Sequence, residues 1–161
     1  MDVTLTWPEL QIAAMIGVQR HVMNLKEDWK DFTNKPADRN WQNHVEGAAG
    51  EMAVAKAFGF YWSGSVGDRK AKDVGGLQVR TRSRTDYDLI LHDHDNDGDR
   101  FVLVVGLAPR FSLVGWIYGH EGKKREYWKD PARERPAYFV PQAVLHSMDE
   151  LMSLMFASPA A

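Results

Sequence analysis

The sequence predicts an α+β (mixed α/β) protein in which a central sheet is covered by helices. Three observations carry this. Two N-terminal segments repeat apolar residues at helical spacing, a series of short strand-like segments follows from about residue 60 to 140, and a short helical piece closes the chain. At 161 residues, with neither an internal repeat nor a linker-like tract, the whole chain, 1–161, is read as one domain: an N-terminal helix over 6–30 and a core over 40–155.

Thr6-Trp7-Pro8-Glu9 opens the first helix with a Thr cap, an early Pro and a first-turn acid. Leu10, Ala13, Ala14, Gly17, Val18 and Val22 follow at helical spacing, and the helix is expected to reach residue 29 or 30 before a break at Lys35-Pro36-Ala37-Asp38. The second helix is expected over 40–58. From Asn43 to Phe58 its only charged residues are Glu46, Glu51 and Lys56, so most of its sides are packed, and its Ala and Gly content admits close neighbours. Gly59 is its C-terminal cap.

Beyond Gly59 the period shortens. Phe60–Ser63 is a first strand, residues 64–72 a polar loop, and Gly75-Gly76 a turn. Residues 77–84 alternate, with Leu77, Val79 and Thr81 on one face and Gln78, Arg80, Arg82 and Arg84 on the other. Tyr87–His92 and Phe111–Tyr118 are further strands. Phe101–Leu107 is nearly all apolar, as in a strand buried on both faces. Residues 123–136 read as a surface excursion, residues 138–140 as a short strand, and residues 141–155 as helical in part.

Apolar residues make up 44% and charged residues 26% of the chain, an ordinary balance for a globular protein. The longest apolar run is too short to span a bilayer, so no membrane is expected. There is no cysteine, which excludes disulfides and thiolate zinc sites, and no N-terminal secretory pattern, so a cytoplasmic location is expected. The net charge of −2 means that a nucleic-acid partner would have to be met by a local basic patch.

The chemistry concentrates in three places: Glu51 on the packed helix, Asp73, and the triplet Gln78-Val79-Arg80. Metal-assisted phosphodiester cleavage needs hard oxygen ligands for Mg²⁺ or Mn²⁺, a more acidic bound water and a cation for the phosphate. Asp73 and Glu51 offer carboxylates, Gln78 a side-chain carbonyl, Val79 its backbone carbonyl, and Arg80 the cation. Glu51 shares a helical stripe with Ala48, Val54, Ala55 and Phe58, where an unpaired carboxylate would be costly to bury. Glu46, on a neighbouring stripe, is kept as an additional ligand or orienting residue.

Gly50-Glu51-Met52-Ala53-Val54-Ala55, then Asp73-Val74-Gly75-Gly76, then Gln78-Val79-Arg80-Thr81 resemble the PD-(D/E)XK nuclease superfamily, most closely its compact phage-encoded members. Arg135-Pro136-Ala137-Tyr138-Phe139-Val140-Pro141 and Leu145-His146 resemble the tail of such phage proteins, so the likeness spans roughly Glu46 to Leu151. It implies a restriction-endonuclease-like fold, a magnesium-dependent deoxyribonuclease, and the host cytoplasm as its place of action. Family roles would fall on Glu51 as the helix acid, Asp73 as the metal carboxylate, Gln78 at the Glu position and Arg80 at the Lys position. Three departures stand out. Lys72 occupies the Pro position, Gln78 removes a negative charge, and Arg80 keeps its charge where a lysine could lose a proton. They open an alternative: a catalytically silent nuclease-fold module that binds nucleic acid or a host protein.

Arg82 and Arg84 are the candidate phosphate contacts, against the bland alternative of a charged edge strand. Lys123-Lys124-Arg125 reads as a solvated loop. Asp93–Asp99 imitates a calcium loop, but its twelfth position is Val104, so a polar hairpin turn is expected. His92 and His94 are read as facing solvent. Most of the six tryptophans are read as core or interface anchors. Many enzymes that cut both strands act as dimers, and a homodimer is carried as a partner expectation.

Overall fold

The computed structural model describes residues 1–26, 38–67, 72–131 and 136–157. The architecture is α+β, with four helices and two sheets. In chain order the elements are β1 (Asp2–Thr4), α1 (Trp7–Lys26), α2 (Asp38–Phe58), β2 (Leu77–Arg82), β3 (Leu89–Leu91), β4 (Arg100–Leu107), β5 (Arg110–Tyr118), α3 (Gly119–Gly122), β6 (Trp128–Lys129), β7 (Ala137–Val140) and α4 (Met148–Phe156). The larger sheet runs β1-β5-β4-β2, with β2 parallel to β4 and the other pairs antiparallel; the smaller, antiparallel sheet runs β3-β7-β6.

The first helix begins as its residues dictate. Thr6 Oγ1 accepts the Glu9 N–H at 3.4 Å, and Glu9 Oε2 accepts the Thr6 N–H at 2.7 Å, a reciprocal capping box. Its buried stripe is Ala13, Gly17 and His21, with Leu10 and Ile16 packed alongside. Val18 and Val22, expected in that stripe, are exposed instead. The reason is Gly17: a Cβ there would lie 2.5 Å from Val45 Cα, so α1 turns its smallest residues, not its branched ones, against α2. The expected run to residue 30 and most of the break at 35–38 lie outside the described residues.

The second helix ends at Gly59 in the left-handed region (φ +66°). There the Phe60 N–H reaches the Ala55 carbonyl at 2.9 Å, closing the last turn as a Schellman cap. Along α2, Ala48, Ala49, Ala53 and Val54 pack on Leu77, Val79, Val102, Val104 and Trp116 of the larger sheet. The opposite face of that sheet, through Phe101, Leu103, Val105 and Ile117, packs on Leu89, Leu91 and Val140 of the smaller sheet. Phe101 to Val105 are all buried, which is why β4 reads as a continuous apolar run.

Several local expectations are corrected. Phe60–Ser63 forms no strand, because the Schellman cap carries the chain into a loop. The alternating strand stops at Arg82, so Arg84 lies in the following bend. The Asp93–Asp99 turn is polar as expected, but it is no hairpin: it carries the chain from β3 in one sheet to β4 in the other. The strands β1 and β6 went unanticipated; at three and two residues they are too short to show a period. Trp7 is exposed, whereas Trp116 is an anchor of the core.

Candidate active site

Asp73 is placed by a very tight hairpin. Gly75 and Gly76 take φ +55° and +85°, Val74 and Leu77 bridge, and the Asp73 N–H donates to the Leu77 carbonyl at 3.0 Å. Two successive residues at positive φ favour the glycine pair found here. The chain thereby folds back along β2, and Asp73 Oδ2 accepts the Val79 N–H at 2.7 Å.

Glu51 is brought in by α2. Its neighbour Gly50 backs onto the Thr81 side chain so closely that a Cβ would collide with it, so the helix lies directly on β2. Glu51 is buried, as its stripe predicts, and it is not alone there. Arg20 of α1 clamps it, Nη1 to Oε1 at 2.5 Å and Nη2 to Oε2 at 2.8 Å, and Trp62 Nε1 donates to Oε2 at 3.0 Å. Arg20 is itself fixed by donating from Nε to the Ser65 carbonyl at 2.9 Å. Burial works against the Arg20 charge, but the Glu51 carboxylate outweighs it and holds the guanidinium above its usual range.

Asp73 sits within electrostatic reach of Glu51, Arg80 and Arg20. Burial, then the Glu51 charge, push its carboxyl up to about 6, against the opposing pull of the Val79 N–H and the two arginines. A carboxyl raised by burial together with a specific like-charged neighbour is a pattern that active sites share with structural ion-pair networks.

Arg80 is occupied. Its Nη2 donates to both carboxylate oxygens of Asp95, at 2.9 and 3.0 Å, its Nε donates to the Ile90 carbonyl at 3.3 Å, and the guanidinium lies 5.0 Å from the Phe101 ring centre. Gln78 shares the Arg80 face of β2, the face turned away from the Leu77 and Val79 side that packs on α2. Glu51, from α2, and Arg80, from β2, both act electrostatically on Asp73. Glu46 accepts from Gln42, one turn earlier in α2, at 2.6 Å.

The expected phosphate contacts divide. Arg82 is half-buried over the Tyr87 ring at 4.6 Å, and burial lowers its guanidinium below the usual range. Arg84 is exposed and paired with Asp86 at 2.8 and 2.9 Å. Lys123, expected in a solvated loop, instead ties down the acidic turn, reaching the carbonyls of Asp93 and Asp95 and, at 2.9 Å, the Asp97 carboxylate. His92 and His94 are exposed and stacked, ring centres 5.4 Å apart.

Four groups of the site were not anticipated: Arg20, Trp62, the Ser65 carbonyl and Asp95. Only Arg20 left a signal, as the one formal charge in α1 between Glu9 and Lys26. A charge on the packed side of a helix is costly unless it is paired there.

Among the described residues no three His, Asp or Glu side chains converge as a protein-built cage would require. Magnesium, however, commonly keeps several waters and takes only one or two carboxylates. Asp73 has one bond to the Val79 N–H and open acceptor sites, whereas Glu51 already receives three donors of the roughly four a carboxylate accommodates. Asp73 is thus the carboxylate with oxygens left to offer a largely hydrated hard cation, whereas Glu51 is already held by Arg20. No protein-family model, curated protein or solved structure matches the chain.

Proposed function

We propose that this chain is a metal-dependent nuclease of the PD-(D/E)XK type, hydrolysing DNA phosphodiester bonds at a site centred on Asp73. The observation that carries the reading is the Asp73–Glu51 pair: two acids from separate elements lie within electrostatic reach of each other, and burial, with the Glu51 charge second, raises the Asp73 carboxyl to about 6. Such crowding is unfavourable for the protein alone and is relieved by a divalent cation. When bound, Mg²⁺ or Mn²⁺ supplies positive charge for the phosphoryl oxygen and a more acidic water. Asp73 is the residue that would hold it. Glu51, fixed by Arg20 and Trp62, adds negative potential from a position that cannot drift. Arg80 is the cation that meets the phosphate when it exchanges Asp95 for the substrate. Arg82 and Arg84 extend that charge along the nucleic acid.

One specific observation favours a second reading, in which the fold binds nucleic acid or a host protein without cutting. The cation at the Lys position is already neutralised by a bidentate carboxylate, and the acid at the helix position by a bidentate arginine. The test is cleavage of linear, circular, single-stranded and branched DNA with Mg²⁺ or Mn²⁺, with Asp73→Ala as control. Cleavage that needs metal and vanishes in the variant supports the nuclease. No cleavage in either metal, with gel shifts that persist in chelator, supports the binding module.

A further inference from the structure

The stripe by which α1 packs on α2 runs Ala13, Gly17, His21 at intervals of four, and its third member is polar. At Gly17 the two helices approach so closely that a Cβ there would stand 2.7 Å from the His44 carbonyl oxygen. One turn further along α1, that approach sets the His21 imidazole against the His44 imidazole of α2, ring centres 5.2 Å apart. His21 is only 3% exposed, and its Nδ1 has no hydrogen-bond partner among the described residues. A buried polar atom left unpaired is costly, and a bound ion is one of the few things that account for one. Asn24 lies three residues on from His21 and so on the same side of α1, and its Nδ2 donates to His44 Nε2 at 3.3 Å. An amide nitrogen only donates, so His44 Nε2 is the lone-pair nitrogen of its ring. Ring packing alone does not account for the histidine pair. Aromatic rings favour offset stacks or edge-to-face contacts, whereas these two planes are inclined at 51°. Two imidazoles that share one tetrahedral ion through bonds of about 2 Å have ring centres about 5 Å apart.

We infer that His21 and His44 bind a zinc ion between α1 and α2, as facing helices of bundles do. His21 supplies Nδ1 and His44 supplies Nε2. The ion takes the lone pair that now accepts from Asn24, and the Asn24 amide, turned over, presents Oδ1 as a third ligand. Water completes the tetrahedron from the open side, where His44 and Asn24 are half-buried; Trp41 closes another side of His21, ring centres 4.2 Å apart. Imidazole nitrogen selects zinc over magnesium, which prefers oxygen, so the ion is a different one from that proposed at Asp73. Neutral ligands make the site exchangeable. The ion joins the helices one residue beyond Arg20, and so stiffens the contact from which Arg20 reaches Glu51. The inference is independent of the nuclease reading.

The test titrates Zn²⁺ into the full chain by calorimetry, in saturating Mg²⁺. One ion per chain is expected, and a melting temperature raised by about 5–10 °C at a zinc concentration a hundredfold above the dissociation constant. His21→Phe keeps a ring against Trp41 without a ligating nitrogen, and His44→Gln changes a half-buried residue. Each is expected to raise the dissociation constant about tenfold or more, with an unchanged circular dichroism spectrum. Asp73→Ala is expected to bind zinc as the native chain does, which keeps this outcome apart from the fate of the nuclease reading. His94→Gln, in the exposed and stacked His92–His94 pair, is also expected to leave binding unchanged. A chain that takes up no zinc at high micromolar concentration overturns the inference. So does zinc binding that is as tight in His21→Phe and His44→Gln as in the native chain, and so does binding that is lost in His94→Gln alone.

Discussion

Arg20 grips both carboxylate oxygens of Glu51, at 2.5 and 2.8 Å, and so ties α1 to α2 at the depth where Asp73 approaches. Both side chains are largely shielded, Glu51 more so than Arg20. Removing one member of such a pair leaves a buried charge without its partner, whatever the intact pair contributes.

Arg20→Ala is therefore expected to destabilise the fold by about 3 kcal/mol or more, with Trp62 left as the one side-chain donor to Glu51 among the described contacts. Arg20→Lys is expected to recover only part of this, because an ammonium cannot reproduce the two parallel bonds. Urea denaturation midpoints of the three proteins check the order.

Asp73→Asn is expected to stabilise the chain at alkaline pH while abolishing cleavage. The folded-state carboxyl lies at about 6, above its value in an unfolded chain, so the folded state holds that proton more tightly. Its contribution to stability is present at low pH and is lost as pH rises through 6. The asparagine oxygen still accepts the Val79 N–H and carries no charge to repel Glu51. At pH 8 the gain is on the order of 2 kcal/mol, or about 5 °C in melting temperature, and it fades as pH falls toward 4. Melting curves across that range check both sign and window.

Much of this arrangement was legible in the sequence and some was not. The helix starting at Thr6, the cap at Gly59, the glycine pair at 75 and 76, and the buried strand β4 are local devices, written in adjacent residues, and each stands where its chemistry places it. Glu51 and Asp73 could be singled out because a carboxylate amid apolar neighbours needs a reason. Their partners could not. Arg20 is 31 residues from Glu51, and Asp95 is 15 residues from Arg80 in a turn whose acids all look alike. Only the packing of α1 on α2, and of the smaller sheet on the larger, decides which acid meets which base. The exposure of Val18 and Val22 has the same cause: branched residues at helical spacing mark an apolar face without saying which face the core will take.

Asp95→Asn is expected to tighten DNA binding in chelator by about threefold to tenfold at low salt. It releases the Arg80 guanidinium from a carboxylate held on both oxygens, yet keeps an acceptor for the His92 N–H. The salt dependence should steepen by close to one phosphate contact. Fluorescence anisotropy against sodium chloride measures both.

Gly17→Ala is expected to cost about 1–3 kcal/mol, because the added methyl meets the backbone of α2 at Val45 rather than a side chain that could swing aside. Thermal melting reads the loss directly.

In the proposed nuclease Asp73 is a carboxyl raised by burial and by the Glu51 charge, and a divalent cation relieves it. Carbon NMR of the Asp73 carboxyl, titrated with and without saturating Mg²⁺, tests it most directly. A titration near 6 is expected in the absence of metal, moving to or below the ordinary carboxylate range when Mg²⁺ is present. A carboxyl that titrates at the same pH in both conditions would contradict it.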